Sequence, residues 1–158
     1  SLIYSAPPFR LRRRLFSSVF IGWGSVLAFL IGYWNRMKIV DVALPLLAAK
    51  IVAVIFVSFS IGSLTKDLKD YRGDSKNGIR NICTVYGYQT GKRIITGLLC
   101  FSLLTPILIY QQSFDLTFFI LAAVFTSILF YASENYLYSF LGYGLTFTYC
   151  AFRYLNLI

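Results

Sequence analysis

Lys66-Asp67-Leu68-Lys69-Asp70-Tyr71-Arg72-Gly73-Asp74-Ser75-Lys76-Asn77-Gly78-Ile79-Arg80 is the one densely charged stretch in a chain that is otherwise almost wholly apolar. Three of the six acidic residues, Asp67, Asp70 and Asp74, fall inside it; Asp41, Asp115 and Glu134 stand singly elsewhere. Lys66, Lys69, Arg72, Lys76 and Arg80 crowd the same segment. The aspartates recur at i, i+3 and i+7, which is one stripe of a helix. Like charges on one stripe repel unless a cation lies between them. Carboxylate oxygens are hard donors that suit Mg2+, which keeps several waters and takes about one or two carboxylates plus substrate phosphates. The basic neighbours suit phosphate oxygens. The plainer reading is a solvated loop with i,i+4 ion pairs such as Lys66 with Asp70. Three in-phase carboxylates at the edge of a hydrocarbon-embedded chain argue against it.

Outward from this segment, composition sets the class. Of 158 residues, 58% are hydrophobic and 18% aromatic, with a mean hydropathy of +0.68. These values exclude an ordinary soluble domain and a disordered chain, and point to an all-α, polytopic transmembrane bundle. The net charge is +9 with no histidine. In such a chain a basic excess reads as cytoplasmic loop bias and phosphate binding, with no nucleic acid implied. Cys83, Cys100 and Cys150 are far apart and suggest neither a zinc site nor a disulfide framework.

The apolar runs predict about five spans: residues 15–34, 42–64, 94–110, 116–132 and 137–158. Lys50 falls about eight residues into the second and reads as snorkelling ahead of a substrate role. Pro106 reads as a kink in the third, and Arg153 interrupts the fifth. Gln111 to Asp115 reads as an outer loop, and Ser133-Glu134-Asn135 as a turn on the inner side. At the N-terminus, Pro7-Pro8 forbids a continuous helix, and Arg10, Arg12, Arg13 and Arg14 come directly before the first apolar run. That cluster is a topology anchor, with Arg10 or Arg12 as a candidate phosphate ligand. Charge asymmetry places this loop and the aspartate segment on the same, cytoplasmic face of an integral, multi-pass membrane protein. The chain opens at Ser1 with no signal-peptide layout, which suggests a piece of a longer protein.

Two stretches together resemble the UbiA superfamily of intramembrane prenyltransferases. Tyr4-Ser5-Ala6-Pro7-Pro8-Phe9-Arg10-Leu11-Arg12-Arg13 is similar to that family's tyrosine-proline-basic loop. Lys66 to Arg80, ending at Val85-Tyr86-Gly87, is similar to its second aspartate-rich motif. The resemblance implies that residues 1–158 are the C-terminal portion of one transmembrane prenyltransferase domain, the last five helices of a nine-helix bundle. The family's first aspartate motif is not found here, so the resemblance also implies that residues 1–158 alone are inactive. It implies Mg2+-dependent transfer of a prenyl group from a prenyl diphosphate to an acceptor within the bilayer. An aromatic acceptor, as in quinone or tocopherol-type synthesis, is the expected kind. Asp70 and Asp74 would hold Mg2+ on the diphosphate, with Asp67 as a third metal ligand or a group that orients the other two. Lys76, Arg80, Arg10 and Arg12 would bind the diphosphate, and Tyr4 would orient it or the acceptor.

Other classes compete. A CDP-alcohol phosphotransferase needs Asp-Gly followed by Ala-Arg, whereas the order here is Gly73-Asp74 with no Ala-Arg after it. A non-enzymatic transporter or scaffold with a charged cytoplasmic loop, or an inactive homologue, is the remaining alternative.

Overall fold

Hydrocarbon offers no hydrogen bonds, so a chain this apolar must satisfy its backbone within helices. A computed structural model describes residues 17–37 and 45–155, and every long element among them is a helix. The elements are α1 (Ser17–Met37), α2 (Pro45–Leu64), α3 (Lys66–Lys76), α4 (Ile82–Tyr86), α5 (Tyr88–Leu104), α6 (Ser113–Ser133) and α7 (Tyr136–Tyr154). A 3-10 turn, Thr105–Leu108, continues α5. Tyr4, Arg10, Arg12 and Pro7-Pro8 lie outside the described residues, as do residues 38–44 between α1 and α2.

Four helical stretches among the described residues are long and apolar enough to cross a membrane: Ser17–Asn35, Leu47–Leu64, Tyr88–Leu108 and Ser113–Ser133. The fifth expected span, α7, has 19 residues. At about 1.5 Å per residue it is long enough to cross. Tyr, Ser, Thr and Gly dilute its hydropathy below that of the others. The third span starts at Tyr88, six residues before its expected beginning at 94, because Gly87 turns the chain sharply there (φ 83°, ψ 156°). Pro106 does not kink a continuing helix; it sits buried in the 3-10 turn that ends α5. Lys50 lies about 8 Å along α2 from Pro45. It is half-buried and makes no hydrogen bond or ion pair among the described residues.

The helices separate an inner from an outer surface. Leu64, Leu68, Cys83, Ile95, Leu99, Leu103, Ala123, Phe130 and Tyr143 form the core. The opposite faces of α1, α6 and α7 leave Trp23, Leu27, Ile31, Leu121, Phe125, Leu141 and Leu145 open. In water such a surface would aggregate; in a bilayer it is the lipid-facing side. Two pairs of polar groups inside meet across helices. Thr65 shares a hydrogen bond with Ser139 of α7 at 3.0 Å, and Ser102 of α5 shares one with the Tyr143 hydroxyl at 2.5 Å. Small residues allow close approach. A Cβ on Gly142 would lie 2.5 Å from Thr126 Cγ2, which seats α7 on α6.

The end of the bundle opposite α3 corrects one expectation. Asp115 is not a loop residue; it lies in the first turn of α6 at 1% exposure. Its carboxylate accepts from the Tyr149 hydroxyl at 2.6 Å and from Arg153 Nε at 3.1 Å. Arg153 also donates to Gln112 Oε1. Arg153 therefore does not merely interrupt the last helix. It anchors α7 to α6 as the partner of a buried acid.

Gly91 makes the tightest approach near the charged segment. A Cβ there would lie 2.7 Å from Cys83 Cα, a backbone atom that cannot give way. Gly91→Ala is expected to destabilise the fold by about 1–3 kcal/mol. Gly97→Ala, with no atom within 4 Å, should be neutral or gain up to about 1 kcal/mol of helix propensity. Unfolding of both variants in mixed micelles with increasing dodecyl sulfate checks this; equal resistance would contradict the packing.

Candidate active site

The charged segment folds into a helix almost continuous with the second span. Only Thr65 separates α2 from α3, and its own backbone is helical (φ −62°, ψ −23°). The aspartate helix is thus carried directly on a membrane helix. It ends at Asn77-Gly78. Gly78 takes a left-handed conformation (φ 62°). Ile79 N then donates to Asp74 O at 2.9 Å and Gly78 N to Ser75 O at 3.4 Å. This double return is the Schellman close of a helix, for which glycine carries no side-chain penalty.

Asn81 ties α3 to α4. It is buried at 6% exposure. Its Oδ1 accepts from Thr84 N, and its own N–H donates to Thr84 Oγ1, both at 2.8 Å, which caps α4. Its Nδ2 donates to Asp74 Oδ2 at 2.8 Å. One side chain therefore starts α4 and fixes the rotamer of the last aspartate. Thr84 Oγ1 returns a bond to Ile79 O at 2.9 Å, closing the link. Sequence reading missed this role, although the Asn81-x-x-Thr84 spacing carries a capping signal.

Asp67, Asp70 and Asp74 share one face of α3, and they feel one another. Burial, then Asp74, then Asp70 push the Asp67 carboxyl up to about 7. Burial and then the Asp67 charge push the Cys83 thiol up to about 12, so this fully buried sulfur is unreactive at neutral pH. Asp67 is thus the inward member of the triad, beside α4, while Asp70 is exposed. Lys76 ends α3, and Arg80 lies in the link to α4; both are exposed and unpaired among the described residues.

The donor set fits Mg2+ by chemistry: hard oxygens, with burial and then the neighbouring carboxylates holding a proton on Asp67 near neutrality. Among the described residues, no three of His, Cys, Asp and Glu close around a single ion. Such a set matches an ion shared between one or two carboxylates and ligand oxygens better than a closed protein cage.

A flank of α3 that runs from beside Asp67 to the far side of the helix lines a cavity of about 870 Å³. Leu68, Lys69, Tyr71 and Arg72 form one wall; Tyr88 of α5, Ser133, Glu134, Asn135 and Tyr136 form the rest. The cavity therefore puts α3 and the α6–α7 turn at the same end of the bundle, as the alternation of spans required. Glu134, expected only as a turn residue, accepts from Lys92 Nζ at 2.5 Å and from the Tyr88 hydroxyl. These partners hold its carboxyl below the usual range.

A family model described as "UbiA prenyltransferase family" matches residues 1–150. No curated protein and no solved structure matches the chain at a significant level.

The raised Asp67 pKa has a stability consequence in chelator. The group is protonated in the folded state up to about 7, but ionises near 3.8 when unfolded. Metal-free stability therefore falls as pH rises from about 4 to 7 and then levels. Asp67→Asn removes that loss, so its thermal midpoint in EDTA should exceed wild type at pH 8 and converge with it below pH 4. A midpoint difference independent of pH would show that Asp67 is not so perturbed.

Proposed function

The chain belongs to the UbiA prenyltransferase family, and from that premise we propose that it transfers a prenyl group from a prenyl diphosphate to an acceptor in the bilayer, with Mg2+ at the aspartate face of α3. The sequence 1–158 then supplies the C-terminal part of the catalytic domain, with both motif loops on the cytoplasmic side. One observation supports this reading above the others. Asp67, Asp70 and Asp74 lie together on one face of a helix that directly follows Leu47–Leu64, a stretch long and apolar enough to cross a membrane.

The residues divide the work. Asp70 and Asp74 would hold the cation on the diphosphate, Asp74 in the rotamer set by Asn81. Asp67 would give up its proton on cation binding and complete the set. Mg2+, when bound, supplies charge neutralisation that lets the allylic carbon–oxygen bond break heterolytically. Lys76 and Arg80, with Arg10 and Arg12, would take up charge on the departing diphosphate. Tyr4 would orient that group or the acceptor. An electron-rich acceptor, for which an aromatic ring is the expected case, traps the allylic cation and releases a proton.

The test uses the full-length protein in membranes, labelled prenyl diphosphates and a panel of aromatic acceptors. Asp70→Ala and Asp74→Ala should each lower Mg2+-dependent transfer by on the order of a hundredfold or more. Both should also lose Mg2+-dependent binding of a non-hydrolysable prenyl diphosphate. Full turnover in both variants would contradict the metal role. Binding indifferent to Mg2+ in wild type would favour a scaffold.

A further inference from the structure

The cavity beside α3 is lined mainly by residues off the aspartate stripe, although Tyr71 lies only about 40° around the helix from Asp67. Positions 69 and 72 lie roughly 140–200° around the helix from Asp67, at 3.6 residues per turn. Lys69 and Arg72 both line the cavity, and neither has an ion-pair partner among the described residues. The Lys69 amine rests 4.9 Å from the centre of the Tyr136 ring, which orders it without cancelling its charge. Glu134 is the lone acid on the walls, and it is already matched by Lys92. Two positive charges are therefore left uncompensated.

The rest of the wall is held firmly. Glu134 adopts a left-handed backbone (φ 57°), a conformation that costs a non-glycine residue about 1–3 kcal/mol unless its surroundings fix it. Here its N–H caps α6 on Phe130 O at 2.9 Å, and its carboxylate is held by two side chains. The Tyr71 and Tyr88 rings meet at 5.2 Å across the α3–α5 seam. The site lies at the ends of α5 and α6, two helices long and apolar enough to cross a membrane, where headgroups are expected. Its volume of about 870 Å³ exceeds what a bare ion needs.

We propose that this cavity is a second anion site, which takes a phosphate group carried by an anionic lipid or by free diphosphate. Lys69 and Arg72 grip the phosphate oxygens, Tyr71 and Tyr136 flank them, and Leu68 meets the apolar part of the ligand. Because these residues share α3 with the aspartates, an occupant on this side also steadies the other.

The test is carried out in EDTA, so that the aspartate face holds no divalent cation. The full-length protein is mixed with phosphatidylglycerol or phosphatidylcholine in micelles, and retained lipid is read by native mass spectrometry. Inorganic diphosphate is titrated in parallel by calorimetry. Wild type should retain phosphatidylglycerol over phosphatidylcholine, or bind diphosphate, according to which source supplies the phosphate. Lys69→Gln/Arg72→Gln should weaken that binding by about tenfold or more. Ser133→Asp, which adds a negative charge to the wall while leaving both cations, should do the same. Equal binding of both anions by wild type and both variants overturns the site. So does an equal loss of phosphatidylglycerol in Lys76→Gln/Arg80→Gln, which would mark a diffuse basic surface.

Discussion

A bilayer interior solvates neither charge nor an unpaired backbone group, and every feature of this chain answers to that. The backbone closes on itself in helices. Charge is gathered toward the helix ends, and several of the polar side chains left inside find one another, although the Ser60, Ser127 and Thr146 hydroxyls have no partner among the described residues. Thr65 with Ser139 and Ser102 with Tyr143 are neutral pairs between helices. Asp115 with Tyr149 and Arg153 is the charged version, placed at an end where water is near. The same exclusion makes α3 informative. Water surrounds most charged helices of soluble proteins, and their acids disperse. Here three acids are concentrated on one short helix whose root, Thr65, is 1% exposed.

The same physics decides how much of the fold and the site was legible in the sequence. Long uncharged runs announce helices because no other element survives in lipid, so α1, α2 and α6 were readable to within a few residues. The stripe of Asp67, Asp70 and Asp74 was readable because helical period is local. Features that depend on a partner distant in sequence were hidden. Asp115 looks like a loop residue until Tyr149 and Arg153 come back to it from 34 and 38 positions away. Glu134 looks like a turn until Tyr88 and Lys92 meet it from 46 and 42. The start of α5 was missed for a different reason. Gln89, Lys92 and Arg93 depress hydropathy at its first turns, and only Gly87 at positive φ reveals that the helix has already begun.

The aspartate helix is held by few and specific means. At its N-terminus it continues a membrane helix, so its direction is inherited rather than chosen. At its C-terminus the Gly78 close and the Asn81 bridge stop it within a turn. Leu68 fastens its underside to the core. The three acids are consequently held together, and burial of Asp67, with Asp74 and Asp70 beside it, pushes its carboxyl up to about 7. On the proposed reading, a cation at this face would displace that proton and relieve both the burial cost and the repulsion.

That arrangement also explains why the two faces of α3 should not be thought of as independent. The helix has 11 residues, roughly three turns, and the same backbone presents acids to one side and Lys69 and Arg72 to the other. A shift that brought the aspartates closer to a ligand would carry Lys69 and Arg72 with it, away from Tyr136 and the α6–α7 turn. Since Leu68 is 4% exposed and packed among core residues, rotation about the helix axis is the restrained motion and sliding along α2 is blocked by the near-continuous backbone at Thr65. On the proposed reading, an anion held by Lys69 and Arg72 would therefore act on the aspartate face through the helix that they share.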